Sequence, residues 1–168
     1  MAEYQKQAIK SSLKKNYSVL KQALEAYYID NGERITTSVF PNNTLKPTLK
    51  KYLNVIYDCG LGSADSNSAC IPNTANPDYK GENPVTYKTY NGNNMTMGPS
   101  DDGQFVLNDG SLILLENQLN TNTRIYISVD VNGFGKGPNR LGRDLFMFQL
   151  TDNGELLPMG AKGTFYYN

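Results

Sequence analysis

Apolar residues near the start of the chain recur at Ile9, Leu13, Tyr17, Leu20, Leu24 and Tyr27, with spacings of 4, 4, 3, 4 and 3. Those spacings keep them on one side of a 3.6-residue period, and Lys6, Lys10, Lys14, Lys15 and Lys21 largely occupy the other faces. The pattern predicts one amphipathic helix over residues 2–31. Asp30-Asn31-Gly32 ends it, Gly32 being suited to the left-handed cap. At about 1.5 Å per residue the helix would run about 45 Å, longer than a domain of this size is across. One end is therefore expected to protrude.

The pattern then changes. "TLKPTLKKYLNVIY" predicts a second helix over 44–57, with Asn43 or Thr44 as cap and Pro47 in the first turn, where no hydrogen bond is lost. Leu45, Leu49, Leu53 and Ile56 form its expected buried stripe. From Cys59 to about residue 84 periodicity fades into loop. "VTYKTY" (85–90) alternates apolar and polar, and "QFVLNDGSLILLE" (104–116) predicts a hairpin turning at Asp109-Gly110, where positive φ angles are tolerated. Residues 124–131 and 144–150 predict two further strands, and "GELLPMG" and "GTFYYN" a short edge strand and a terminal aromatic segment. The fold class is α+β: a long N-terminal amphipathic helix packed on a C-terminal antiparallel sheet, with a short second helix and a long loop between. A single domain spans 1–168, divided into a helical spine (1–31), a helix-loop segment (32–84) and the sheet (85–168).

Composition narrows the chemistry. The 168 residues suffice for one core, and the net charge is zero. Residues 1–58 carry nine Lys/Arg against five Asp/Glu, and residues 59–168 seven against eleven, a split of +4 and −4. No concentrated basic face accompanies aromatic platforms, so nucleic acid is not an expected partner. With no histidine, the usual general base, zinc ligand and nucleophile partner are gone. No phosphate-loop spacing and no standout carboxylate pair replaces them, so neither catalysis nor an organic cofactor is expected. Twelve tyrosines without tryptophan read as half-buried sheet residues, and "KPTLKK" as a solvated helix face.

Cys59 and Cys70 flank "GLGSADSNSA", a run whose small residues let its ends meet. Their spacing fits neither CxxC redox chemistry nor a zinc site, and a disulfide is favoured over two free thiols. Closing that loop would stabilise by about 3 kcal/mol and would imply an oxidising compartment.

"YISVDVNGFGKGPNRLGRDLFMFQL" (126–150) holds the remaining candidate chemistry. Asp130, Asn132 and Asp144 are oxygen donors that could serve calcium, with glycines freeing backbone carbonyls. The opening D-x-N-G is like an EF-hand loop and Gly135 falls at its position 6, but Phe134 stands at position 5 and Leu141 at position 12, where a bidentate Glu is needed. Asp, Asn and Gly also build turns by themselves, so an elaborate structural turn is the favoured reading, with calcium the alternative.

Taken together, "SVLKQALEAYYIDNGE", "FVLNDGSLILL" and "DVNGFGKGPNRLGRDLFMFQL", followed by "GELLPMG", resemble the type IV pilin and type II secretion pseudopilin superfamily over nearly the whole chain. The resemblance implies a structural filament subunit with no enzymatic role. Its partners would be other pilin or pseudopilin subunits, met through the first helix at Ile9, Leu13 and Tyr17. It would belong to the bacterial cell envelope, anchored in the inner membrane before assembly and then part of an extracellular pilus or a periplasmic pseudopilus. Members of the family begin with a short basic leader and then about 20 apolar residues; this chain begins "MAEYQKQAIK", so the expectation is that Met1-Ala2 stands in place of the membrane segment and that the chain starts midway along the native helix. Some pseudopilins bind calcium, which bears on Asp130, Asn132 and Asp144. A secreted calcium-dependent adhesion or binding module is the alternative.

Overall fold

The computed structural model describes residues 1–41, 43–60, 69–71, 86–96, 100–117 and 124–168. A 29-residue helix, α1 (Glu3–Asn31), lies against a six-stranded antiparallel sheet whose spatial order follows the chain: β1 (Val55–Gly60), β2 (Gly103–Leu107), β3 (Leu112–Glu116), β4 (Ile125–Asp130), β5 (Leu145–Leu150) and β6 (Leu156–Pro158). A short helix, α2 (Leu45–Lys51), precedes the sheet. The α+β class and the helix-then-sheet order agree with the pattern of the chain.

The predicted stripe of α1 is the buried one from Leu20 onward. Leu20, Leu24 and Tyr27 are buried in one core with Phe105, Ile113 and Ile127 of the sheet. Full burial of a side chain such as Leu20 contributes about 1.5–3 kcal/mol. Gly32 takes the left-handed conformation at φ 71° and its N–H bonds Tyr28 O at 2.8 Å, closing the helix as expected.

Several local expectations are corrected. The second helix stops at Lys51, and residues 55–60 form β1, extending the sheet beyond the strands anticipated. Val55, Ile56 and Tyr57 are β-branched or aromatic, and pairing with β2 gives their backbone a ladder that the helix end cannot. Leu45, Leu49 and Leu53 are buried, but Ile56 points outward at 63% exposure. The side chain of Thr44 does not cap α2; the Leu45 N–H donates instead to Asn117 Oδ1 at 3.0 Å. Lys46 and Lys50 then tie α2 to β1 through Asp58 at 2.8 and 3.0 Å. Burial opposes ionisation of Asp58, but these cations and the Gly60 amide hold its pKa down to about 2.

Residues 86–90 form no strand; Lys88 makes only single bridges, to Asn94 and to Arg140. The alternation in "VTYKTY" reflects a segment laid over the outer face of the sheet, where Tyr87 is fully buried; residue 85 lies outside the described residues. At the β2–β3 hairpin only Gly110 is left-handed, at φ 86°. Gly110 N donates to Leu107 O and Leu107 N to Ser111 O, both at 2.9 Å, which makes a three-residue loop in place of the two-residue turn that Asp109-Gly110 suggested. Of the predicted loop 59–84, only residues 59–60, at the end of β1, and 69–71 lie within the described residues.

Cys59, near the end of β1, is disulfide-bonded to Cys70. Alkylation of the purified, unreduced protein should therefore leave its mass unchanged, and alkylation after reduction should add two groups. Two reactive thiols before reduction would contradict the bond.

Candidate functional site

At one end of the sheet three pieces of chain converge: the N-terminal half of α1, the tip of the β2–β3 hairpin and the glycine-rich loop 131–144 after β4. Asn16 lies on the apolar stripe of α1 and is 1% exposed. A buried amide is costly unless paired. Asn16 is paired on both ends: its Oδ1 accepts the Ser111 hydroxyl at 2.9 Å, and its Nδ2 donates to Ser12 O at 3.0 Å. Lys15 Nζ sits 3.3 Å from Asp109 of the hairpin tip. Burial alone would raise the pKa of Asp109; hydrogen bonds from Ser111 and the charge of Lys15 instead hold it below the usual carboxylate range.

The glycine loop joins the same junction. Ser12 Oγ donates to Val131 O at 2.9 Å. Gly133 has φ 81°, and a Cβ there would fall 2.4 Å from Gly110 O of the hairpin tip, so only glycine lets the two turns touch. Asp144, fully buried, accepts the Asn139 N–H on Oδ2 and the Arg140 N–H on Oδ1, both at 2.7 Å. Asp130, also fully buried, accepts the Tyr87 hydroxyl on Oδ2 at 2.7 Å and the Asn132 N–H on Oδ1 at 3.3 Å. Burial pushes the pKa of Asp130 up to about 7; the Tyr87 bond works against this and the charge of Asp144 adds to it. Tyr87 in turn is raised well above its ordinary value by burial and by Asp130.

Asp130, at the end of β4, and Asn132 and Asp144, in the loop that follows, thus lie around one loop, and all four carboxylate oxygens already accept bonds from the chain itself. This is the geometry of a structural turn. Two amide oxygens, Asn132 Oδ1 and Asn139 Oδ1, are nevertheless buried with no partner among the described residues, and they are the observation that fits a cation or an ordered water. Tyr87, Asn16 and Ser111 were not anticipated, because nothing in their local spacing tells which strand or helix they will face.

The other candidate surface is α1 itself. Residues 1–8 are exposed, while Ile9, Leu13 and Tyr17 are partly buried and pack at the margin of the core. Tyr17 still bonds Leu156 O through its hydroxyl at 2.9 Å. A groove of about 340 Å³ runs beside Ile9 and Leu13, walled by Arg143 and Phe146. No helix among the described residues is long and apolar enough to cross a membrane. Searches against models of protein families, curated proteins and solved structures find no match.

Two outcomes follow for the loop. Asp144→Ala strands two backbone N–H groups and should lower unfolding free energy by about 2–4 kcal/mol, read by urea denaturation. The raised pKa of Asp130 means that its contribution is fully present below the unfolded carboxyl value of about 3.9 and is lost as pH rises through about 7. Asp130→Asn should flatten that part of the stability–pH curve; an unchanged slope would show that Asp130 is ordinary.

Proposed function

We propose that this chain is the head domain of a filament subunit of the type IV pilin or type II secretion pseudopilin kind, which packs on its neighbours through the N-terminal half of α1. The observation that carries the reading is the uneven cover of one helix. A 29-residue helix runs about 43 Å, yet its fully buried residues begin only at Asn16. Upstream of that point Ile9 and Leu13 stay half-covered and Tyr4 is 75% exposed. A helix so placed offers a ready-made face to other subunits, and the resemblance of its end and of the glycine loop to that superfamily points the same way. On this reading the partners are further pilin-like subunits, the inner membrane is met through an apolar extension of the same helix, and the working place is the bacterial cell envelope.

The second reading, a secreted calcium-dependent binding module, rests on the buried, unpartnered Asn132 Oδ1 and Asn139 Oδ1 beside Asp130 and Asp144. On that reading millimolar calcium raises the Tm of the wild type and not that of Asp144→Asn. Equal melts in calcium and in chelator would remove it.

The filament reading is tested by two charge insertions. Leu13→Asp should leave the domain folded, with Tm close to wild type, and abolish filament assembly in producing cells. Leu24→Asp places a carboxylate in the core and should unfold the domain. If Leu13→Asp destabilises the domain as much as Leu24→Asp does, α1 has no spare face and the reading fails.

A further inference from the structure

The outer face of the sheet carries a second polar cluster, away from the glycine loop. Asp101 and Asp102 precede β2, Glu116 closes β3, and one carboxylate oxygen from each lies within 4.8 Å of the others. Asp102 Oδ2 accepts the Asn117 N–H at 2.7 Å, and Asp101 and Glu116 hydrogen-bond each other. Three carboxylates this close cannot all ionise cheaply. Burial first, then the charges of Asp102 and Asp101, push Glu116 up to about 9, and burial raises Asp101 as well. The cluster is thereby biased toward holding a proton.

An alternative partner stands across the ladder. Glu116 pairs in register with Tyr126 of β4, and Arg124, two residues earlier, is on the same face of the sheet. Such diagonal neighbours are roughly 7–8 Å apart, within reach of long side chains. The Arg124 guanidinium stacks 3.8 Å from the centroid of the Phe165 ring and hydrogen-bonds Tyr126. Its Nη1 is buried without a partner among the described residues, and so is Glu116 Oε2. A buried carboxyl oxygen and a buried guanidinium nitrogen, both without a partner among the described residues, thus flank Tyr126, Glu116 paired with it across the ladder and Arg124 two residues before it in the chain.

We propose that Glu116 is a proton-operated switch: protonated, it stays with Asp101 and Asp102; on losing its proton to solvent, it swings to Arg124 and unseats the Phe165 ring. Ionised Glu116 gains the fixed cation and relieves its repulsion with the two aspartates. The element reset by the switch is the C-terminal segment, where Phe165, Tyr166 and Tyr167 are 47%, 54% and 53% exposed. Among the described residues, the titratable groups facing the switch are Asp101 and Asp102 before β2, Arg124 and Tyr126 from the β4 side, and Tyr166 beside Tyr126.

The test is carbon-13 NMR of the glutamate carboxyl groups in the full chain, titrated from about pH 4 to about pH 10, with Glu116→Gln assigning the resonance. Glu116 is expected to titrate far above the other glutamates, and the Phe165 ring signals should move with the same midpoint. Arg124→Met removes the cation that receives the ionised form and should raise the midpoint by about one unit or more. If that variant does not fold, Arg124→Lys keeps the charge but not the planar stack; the midpoint should hold while the Phe165 response disappears. The proposal is overturned by a Glu116 midpoint in the ordinary carboxylate range, by Phe165 signals that ignore it, by an unmoved midpoint in Arg124→Met, or by a wild-type Phe165 response in Arg124→Lys.

Discussion

The buried amide of Asn16 is the point on which the arrangement turns. A polar side chain on the core face of a helix fits only one alignment of that helix, because each of its groups needs a partner. Here the partners come from the helix itself, at Ser12, and from the hairpin tip, at Ser111. Apolar packing from Leu20 to Tyr27 would tolerate small slides of α1 along the sheet; the Asn16 bonds do not. The contact of Ser12 with Val131 and the Gly133–Gly110 approach then fix the glycine loop against the same junction. The half-covered stretch of α1 is held at a set angle as a consequence.

The sheet separates two unlike interiors. Toward α1 it presents Phe105, Ile113 and Ile127, an apolar core. Its outer face mixes Leu112 and Leu114 with Gln104, Ser128 and Asp130, all buried, and Tyr87 packs onto it from the segment laid over it. Polar groups there survive burial by pairing: Gln104 exchanges two 2.9 Å bonds with Ile71, and Asp130 takes the Tyr87 hydroxyl. Carboxyl groups in such a place hold protons more tightly, and burial raises the pKa of both Asp130 and Glu116. The groups with raised values thus lie on the side away from the helix, whereas Asp58 and Asp109, held low by lysines of α2 and α1, lose their charge only in acid.

Much of this was legible in the chain because it depends on short-range pattern. The stripe of α1, the Gly32 cap, five of the six strands and the cysteine loop all follow from spacings of a few residues. β1 was not legible. "NVIY" continues a helical spacing from Leu45, and only the availability of β2 as a partner turns it into a strand. "VTYKTY" failed in the opposite sense: its alternation buries Tyr87 under the sheet without a ladder to join. At the site, Asp130, Asn132 and Asp144 were identifiable as one loop, whereas Asn16, Tyr87, Glu116 and Arg124 matter through contacts set by tertiary pairing.

The central claim is that a polar junction at Asn16, distinct from the apolar core, holds the N-terminal half of α1 in place. Amide hydrogen exchange along α1, in the wild type and in Asn16→Ala, measures it most directly. The account predicts that Asn16→Ala loses protection over residues 9–17 while residues 20–27 keep theirs. Equal loss along the whole helix, or no loss anywhere, would contradict it.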